Sequence, residues 1–411
     1  MYSAREIYPA NVDWTVNGAL AGNTAIQTYA IRSVYGGGNK ASYIPAVADK
    51  SSTVHVYTCV NTIEDVYGGS NAAHVGSNTV TTNTNLIVDG GRIKRVFGGG
   101  NGETVAADIH GTATTEVHGG VINEVFGGSN TAGAINSTSL SVADQGAACD
   151  LFVGSIFGGG NNAIIFGDGE LIIACGAGTF DEVYGGSNLA DIGDADHLSN
   201  VTLTVRGGTI NKVYGGSKGR LADPDQGIQA KAANIYGNVT LNLEGGTIGN
   251  AYGGSNINGN IHGKITVKVE DIENSTCPLQ VDTIFGASNA TPYTPDLVGG
   301  KTPISPEVNV KHIKTNSING CVFGGGCGTE AVVTANPKVT IGDADNANHT
   351  ITIDENVYGG GNRAQVIGNT HVILDGTSKV DIKGNVFGAG HGANVQGNAK
   401  VEIKEPTTPQ P

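Results

Sequence analysis

The amino-acid sequence predicts an all-β fold, a single-stranded parallel β-helix (β-solenoid) of about twelve rungs. Three observations predict it. Glycine supplies 65 of the 411 residues, about twice its average share. A motif in which an aromatic residue precedes Gly-Gly or Gly-Ala recurs along the chain. Between the copies, runs rich in Val, Ile and Thr alternate apolar with polar residues, which is typical of half-buried strands.

The motif sets the period of the repeat. Its aromatic residue occurs twelve times, at Tyr35, Tyr67, Phe97, Phe126, Phe157, Tyr184, Tyr214, Tyr252, Phe285, Phe323, Tyr358 and Phe387. The mean spacing of about 32 residues lies in the range that marks solenoids, propellers and arrays. A propeller of twelve blades would exceed the usual range of roughly 4–8, and the period is short for four strands. A β-helix with one rung per period therefore fits better.

Each period predicts a strand, a corner, a second strand and a return segment, in that order. Residues 201–205 and 239–243 alternate apolar with polar side chains and predict the first strand. A glycine often stands six residues before the aromatic, where a sharp corner requires positive φ. An apolar residue four before the aromatic begins the second strand and shifts by one position in the last three copies. Proline, which cannot donate a ladder hydrogen bond, is almost absent from these strands.

The predicted organisation has three parts: an N-terminal cap or incomplete rung at 1–30, the solenoid at 31–402, and a Pro-rich tail or linker at 403–411. The start lacks the apolar segment of a signal peptide, so if the protein is extracellular, we expect this chain to be a fragment of a longer one. No apolar run is long enough to span a membrane.

The net charge of −14 argues against nucleic acid as a partner. Six cysteines are too sparse for a disulfide scaffold, and free thiols are the expectation.

Stacked rungs would turn each repeat position into a column. The position four after the aromatic is Asn in nine of the twelve copies, interrupted by Lys218, Cys327 and His391, and predicts a ladder of stacked amides. The aromatic column predicts rings stacked in or near the core, and a surface strip on which sugars stack is the alternative. The column two before the aromatic begins Asp65, Arg95, Glu124, Ser155, Glu182 and Lys212. These charges favour ion pairs between rungs over catalytic acids.

Two identical strings, Ile-Gly-Asp-Ala-Asp, occur at 192–196 and 341–345. Loop carboxylates can supply the oxygen ligands of Ca²⁺. The four candidate metal residues are Asp194, Asp196, Asp343 and Asp345. Repeat kinship or turn-forming Asp explains the strings equally well. The histidines show no metal-binding spacing, and Cys321 and Cys327 lack the second pair that zinc would need. The sequence favours a protein without cofactors, with Ca²⁺ as the alternative.

Two periods exceed the mean and predict surface loops. Their extra residues fall at 219–233 and 290–306, after the Gly-Gly motif and before the next alternating strand. Insertions at one point of a repeat emerge from one side of a solenoid, often the binding side, and simple drift in loop length is the alternative. We expect the second loop to carry an exposed aromatic ring. The candidate binding residues are Tyr293, Asp296, Lys301, Arg220 and Asp223.

The segments 207–218 and 245–256 both read Gly-Gly-Thr-Ile followed by Tyr-Gly-Gly-Ser. This pattern resembles the repeat-rich, surface-exposed β-helix proteins of gut Bacteroidetes. It is loosely similar to the repeats of chlamydial polymorphic outer-membrane adhesins, although the Asn stands one residue further from the aromatic here. The resemblance implies a bacterial, extracellular or outer-membrane-associated protein with an adhesin-like display or stalk role and no catalysis.

The resemblance specifies architecture better than function, because the motif belongs to the scaffold itself. The implied partner is a host or microbial glycan or protein. A second hypothesis is a carbohydrate-active enzyme of pectin-lyase-like architecture, either a polysaccharide lyase or hydrolase or a phage-spike-like depolymerase. A lectin that binds without cleaving lies between the two.

Overall fold

The computed structural model describes residues 30–47, 50–144, 149–298 and 302–406. They form a parallel β-solenoid of about twelve turns, which confirms the predicted fold class. We number the rungs 1 to 12 after the aromatic residues in chain order. Each rung runs through a strand on the first face, the first corner, a strand on the aromatic face, the second corner and a short third face. The third corner leads into the next rung.

The first face is a parallel ladder in which like positions of successive rungs pair. It contains Ser52–Val56, Thr84–Val88, Ile109–Val117, Ile135–Val142, Gly169–Ile173, the first parts of Val201–Tyr214 and Val239–Tyr252, Ile265–Glu270, Glu307–His312, Lys338–Ile341, Thr370–Asp375 and Ala399–Lys404. Side chains alternate between core and surface along these strands, and Ile109–Val117 does so over its whole length. The alternation predicted from the sequence is therefore confirmed.

The aromatic face is a second parallel ladder, and its aromatic residues pair in register. It contains Ala30–Tyr35, Thr62–Tyr67, Arg92–Phe97, Gly120–Phe126, Leu151–Phe157, Thr179–Tyr184, the second parts of Val201–Tyr214 and Val239–Tyr252, Gln280–Phe285, Val322–Phe323, Val357–Tyr358 and Val386–Phe387. Two short strands, Thr350–Ile353 and Lys379–Ile382, pair at the first corner of rungs 11 and 12.

The third face is short, with one apolar residue per rung in a column and single bridges between most neighbouring rungs. The column is Tyr43, Val75, Ile109, Ile135, Ile165, Ile192, Ile235, Ile261, Tyr293, Val333, Val366 and Val395. Together with the inward residues of the other two faces, most of these side chains fill one continuous apolar core. Burial of that core against neighbouring rungs is what holds a solenoid together, since no rung can bury its own apolar face alone.

The first corner requires glycine in several rungs. Gly91 and Gly120 both have φ of +106°, a conformation that costs little only in a residue without a Cβ.

The structure also moves one predicted boundary. The last first-face strand runs to Lys404, so the predicted end of the solenoid at 402 falls inside it. The predicted cap at 1–30 lies almost wholly outside the described residues, as does most of the predicted tail.

Both insertions fold as small hairpins, but they leave the solenoid at different corners. The first pairs Arg220 with Lys231 around the 3-10 turn Pro224–Gln226 at the second corner of rung 7. The second pairs Leu297–Val298 with Thr302–Pro303 at the third corner of rung 9. The expectation of a common exit point is therefore wrong, because one insertion precedes the third-face residue and the other follows it. The two hairpins instead flank the third face.

Four of the six cysteines form disulfides, which corrects the expectation of free thiols. Cys59 bonds Cys149 and Cys175 bonds Cys277, across 90 and 102 residues of sequence. All four lie at the first corner, in rungs 2, 5, 6 and 9, so each bond joins rungs three apart. The corners of the rungs between are Gly-Gly, at 90–91, 119–120, 207–208 and 245–246. A Cβ at Gly90 would collide with the sulfur of Cys149, so glycine makes room for the cross-link.

Candidate functional site

The aromatic column is a continuous stack of rings. Successive ring centroids lie between 4.7 and 5.0 Å apart with nearly parallel planes, close to the rung spacing. The residue before each aromatic points into the main core, and the rings pack on the opposite side of the strand as a separate buried cluster. The predicted buried stack is thus confirmed. A strip of exposed rings is wrong for rungs 2 to 11, because ring burial leaves no face for a sugar.

The Asn column is a hydrogen-bonded ladder, as predicted. Asn71 donates to Asn39, and the same Nδ2-to-Oδ1 bond at 2.8–2.9 Å repeats through Asn188. A second run joins Asn289 to Asn256. Lys218 breaks the ladder between the two runs, and its ammonium instead lies 3.6 Å from Glu182. The ladder covers the outer side of the ring stack.

The charged column also bonds between rungs. Arg95 donates two hydrogen bonds of 2.7 Å to the carboxylate of Asp65, a bidentate pair that supports the predicted ion pairing. Tyr67 donates its phenol proton to the same carboxylate. Burial and the neighbouring Asp65 raise the pKa of Tyr67 far above its usual range, so the phenol stays a donor. Glu182 departs from the prediction and pairs with Lys218 rather than Lys212.

A cavity of about 480 Å³ lies beside the first rungs, on the outer side of the aromatic face. It is lined by Tyr35, the first ring of the stack, and by residues of rungs 1 to 4. The charged lining residues are Arg32, Glu64, Asp65, Arg95 and Glu103. Here carboxylates and guanidinium groups from neighbouring rungs meet around a half-buried ring, an arrangement that suits a polar, ring-shaped ligand such as a sugar.

The third face carries a second candidate surface between the two hairpins, which we call the third-face patch. Tyr236 stacks on His262 with centroids 4.4 Å apart. His262 lies 3.2 Å from the carboxylate of Asp296, whose side chain is 65% exposed. The first hairpin is held down beside this face, because Lys231 donates to Asn162 and Asn258 donates to the carbonyl of Arg220.

The structure places the predicted binding residues apart. Tyr293 is fully buried and donates to the carbonyl of Gly263, so the prediction of an exposed ring is wrong. It occupies the third-face column, where every other rung except the first, which has Tyr43, has Ile or Val. Arg220 donates to the carbonyl of Gln229 and Asp223 caps the 3-10 turn, so both hold the first hairpin together. Asp296 belongs to the third-face patch, and Lys301 lies outside the described residues.

The two Ile-Gly-Asp-Ala-Asp strings fold alike but lie in different places. In each, the first Asp accepts a hydrogen bond from the backbone N–H of the second, which is a turn formed by an Asp side chain. Asp194 is half-buried and Asp196 is exposed beside the third face, whereas Asp343 is buried after a first-face strand and Asp345 is exposed. The two strings do not occupy the same position of the repeat, so descent from a common repeat does not explain why they are identical. The turn that both of them form does explain it.

Asp343 was predicted from the sequence as a candidate metal residue, but the two clusters of metal-ligating side chains that the structure brings together were missed. One joins His74, Asp108 and His110 on the third face of rungs 2 and 3. The other joins Glu270, Asp343 and His349 at the first corner of rungs 9 to 11. Each cluster draws its members from two rungs, so spacing along the chain does not reveal the whole set. Aligning the rungs by their repeat positions is the one step that would have placed Glu270 and Asp343 at the same corner, because both stand at or just after the end of a first-face strand.

The described residues contain no helix that is long and apolar enough to cross a membrane. The cavity beside the first rungs, the two hairpins and the two metal-ligating clusters are the features from which we infer a function. Comparison of the chain with protein-family models, with curated proteins and with solved structures finds no match.

Proposed function

We propose that this chain is a non-enzymatic, extracellular β-helical module that displays a binding surface in the manner of an adhesin. The observation that carries the proposal is the pair of disulfides along the first corner. Disulfides form and persist in oxidising compartments such as the cell surface. The resemblance to surface-exposed β-helix proteins of gut Bacteroidetes points the same way.

The rest of the fold suits a display role. Ring stacking and the amide ladders connect each rung to the next, and the disulfides join rungs three apart, so the solenoid is stiff along its length. A stiff support can hold a binding surface in a fixed position and needs no moving parts. The acidic net charge keeps such a surface soluble and away from nucleic acid.

The binding surface in this proposal is the third-face patch, Tyr236, His262 and Asp296, together with the flanking hairpins. A stacked ring pair offers an apolar platform for a sugar ring, and the carboxylate of Asp296 offers a hydrogen-bond acceptor. Insertions that border one face of a solenoid are common at binding faces. A host or microbial glycan is the partner that this chemistry fits.

The test is a glycan array probed with the purified chain, followed by affinity measurements on any hit. We expect Tyr236→Ala to weaken binding at least tenfold, the loss of about 1.4 kcal/mol. Deleting 220–231, the first hairpin, should weaken glycan binding further, because this hairpin borders one side of the third-face patch. The matched control is Tyr57→Ala, which removes an exposed ring that also contacts a histidine, His55, but at the first corner. Equal binding by the parent and by Tyr236→Ala would refute the patch as the binding surface.

A second candidate function rests on the cavity beside Tyr35. It collects Glu64, Asp65 and Glu103 with two arginines, and paired carboxylates are the groups with which glycosidases work. If the chain cleaves a polysaccharide there, Glu64→Gln and Glu103→Gln should abolish the release of new chain ends. Failure of the parent to release ends from neutral and acidic polysaccharides would refute this candidate and leave the display role untouched.

A further inference from the structure

The first corner continues past the second disulfide into a cluster of ionisable side chains, which we call the corner cluster. Glu270 ends the first-face strand of rung 9, and His312 ends that of rung 10. Asp343 and His349 lie in the long first corner of rung 11. One ligand atom each of Glu270, Asp343 and His349 lie within 4.8 Å of one another. Chain positions almost 80 residues apart thus meet at one point of the surface.

Two imidazole nitrogens in the corner cluster lack hydrogen bonds. His349 Nδ1 lies 2.8 Å from an oxygen of Asp343 but is not aligned to donate to it, and it is buried without a hydrogen-bond partner. His312 stacks on His349 with centroids 4.3 Å apart, and its side chain is only 4% exposed. Its Nε2 also has no hydrogen-bond partner and lies 3.7 Å from Glu273. Buried polar atoms in native proteins are almost always satisfied, so these two nitrogens call for a ligand.

The surroundings favour a cation. A cavity of about 440 Å³ opens onto the cluster and is lined by Glu244, Glu270, Asp271, Glu273 and His349. Lysines are also near: Lys268 lines the cavity, and the ammonium of Lys311 lies 3.9 Å from Asp343. Lys314 is engaged with Glu273 at 3.1 Å. Carboxylates outnumber these ammonium groups, so the local charge remains negative.

We propose that Glu270, Asp343 and His349 bind one divalent transition-metal ion of the Zn²⁺ type. An imidazole nitrogen with two carboxylates is a donor set that Zn²⁺ accepts, whereas Ca²⁺ takes oxygen ligands alone. Ligand bonds of about 2.0–2.2 Å bring tetrahedral ligand atoms to within about 3.5 Å of one another. In the structure Asp343 and His349 already lie 2.8 Å apart and all three ligand atoms lie within 4.8 Å, so only small side-chain movements separate this arrangement from a bound one. His312 Nε2, 3.7 Å from Glu273, is a neighbouring nitrogen outside this three-residue set.

The position of the site gives it a mechanical role. The two disulfides join rungs 2 to 5 and rungs 6 to 9 along the first corner, and the metal would join rungs 9 to 11 at that corner. The ion would then be a third axial cross-link, one that responds to metal supply rather than to redox conditions. This role is independent of any ligand bound at the third-face patch.

The experiment measures Zn²⁺ binding to the full chain by calorimetry, in a His74→Gln/His110→Gln background that removes the other cluster. We expect one ion per chain and a higher Tm with Zn²⁺ present. Adding Asp343→Asn or His349→Gln should weaken Zn²⁺ binding by at least about 100-fold, since loss of a residue that only hydrogen-bonds to a metal ligand already costs about 10–100-fold. Glu270→Gln, on a half-buried strand end, provides a variant with little risk to folding.

The matched control is Asp194→Asn with His197→Gln, which alters the identical string at the third face. There His197 contacts Asp194, and among the described residues no third metal-ligating side chain completes a cluster. This control should bind Zn²⁺ like its parent. Binding that survives Glu270→Gln and His349→Gln unchanged, in proteins with parental circular dichroism, would overturn the proposal. So would the absence of any Zn²⁺ binding in the His74→Gln/His110→Gln background.

Discussion

Removal of the Cys59–Cys149 disulfide should destabilise one part of the solenoid and leave the rest intact. The bond spans 90 residues, and the chain-entropy relation for a loop of that size gives about 4.6 kcal/mol at 25 °C. The typical contribution of a disulfide is somewhat smaller, about 2–4 kcal/mol. Because solenoid stability is a sum of contributions from neighbouring rungs, this loss should be concentrated between rungs 2 and 5.

Native-state hydrogen exchange of Cys59→Ser/Cys149→Ser locates the loss. We expect faster exchange of the backbone amides in Thr84–Val88 and in the first-face part of Ile109–Val117, the strands under the cross-link. Exchange in Lys338–Ile341 should stay as in the parent. The matched control replaces Cys321 and Cys327, the two free thiols, with serine.

Two results would refute this reasoning. The first is exchange in rungs 3 and 4 that matches the parent, which would mean that the cross-link constrains nothing. The second is a uniform loss of protection from rung 2 to rung 12, which would mean that the solenoid unfolds as one unit and that the local sum of rung contributions is the wrong description.

Three further predictions test the columns and the corner. Asn130→Ala should lower the free energy of unfolding, measured in denaturant titrations, by about 1–3 kcal/mol, because it removes the hydrogen-bond partner of the amides on both sides. Asn39→Ala, at the exposed end of the ladder, should lower the free energy of unfolding clearly less. Gly90→Ala should slow or prevent closure of the first disulfide, measured as free thiol per chain, since its methyl group would collide with the sulfur of Cys149. Burial raises the pKa of Glu124 in the folded protein, although the nearby charge of Arg95 opposes this. The contribution of Glu124 to stability is therefore complete at pH values below the pKa of Glu in the unfolded chain. It is lost as the pH rises through the pKa of Glu124 in the folded protein. Glu124→Gln should therefore raise Tm at neutral pH and not in acid, and equal Tm shifts at both pH values would contradict this.

The sequence was sufficient for the columns because each column residue recurs at a nearly constant distance from the aromatic. Stacking like positions then follows from parallel pairing alone, which is why the Asn ladder and the Asp65–Arg95 pair could be predicted. The side to which the rings point was not predictable from alternation. Ile63 and Val66, three residues apart, both point into the core, so a simple count of alternate positions fails between them.

The disulfides and the buried Tyr293 were missed for a different reason. Separations of 90 and 102 residues mean nothing along the chain until rungs are assigned. Once they are, cysteine at the first corner of rungs 2, 5, 6 and 9 alternates with Gly-Gly in the rungs between, a pattern visible in the sequence. Tyr293 stands four residues after Asn289, as Ile192 does after Asn188, and that spacing assigns it to the core column.

The direction of the amide ladder has an electrical consequence. From Asn39 to Asn188, every Nδ2–H group points toward the preceding rung and every Oδ1 toward the following one. The amide dipoles therefore add head to tail along the axis, as peptide dipoles add along a helix. The positive pole lies at Asn39 and the negative pole at Asn188, and the next residue in the column is the cation Lys218. This break in the ladder thus supplies the charge that the accumulated dipole favours at that end.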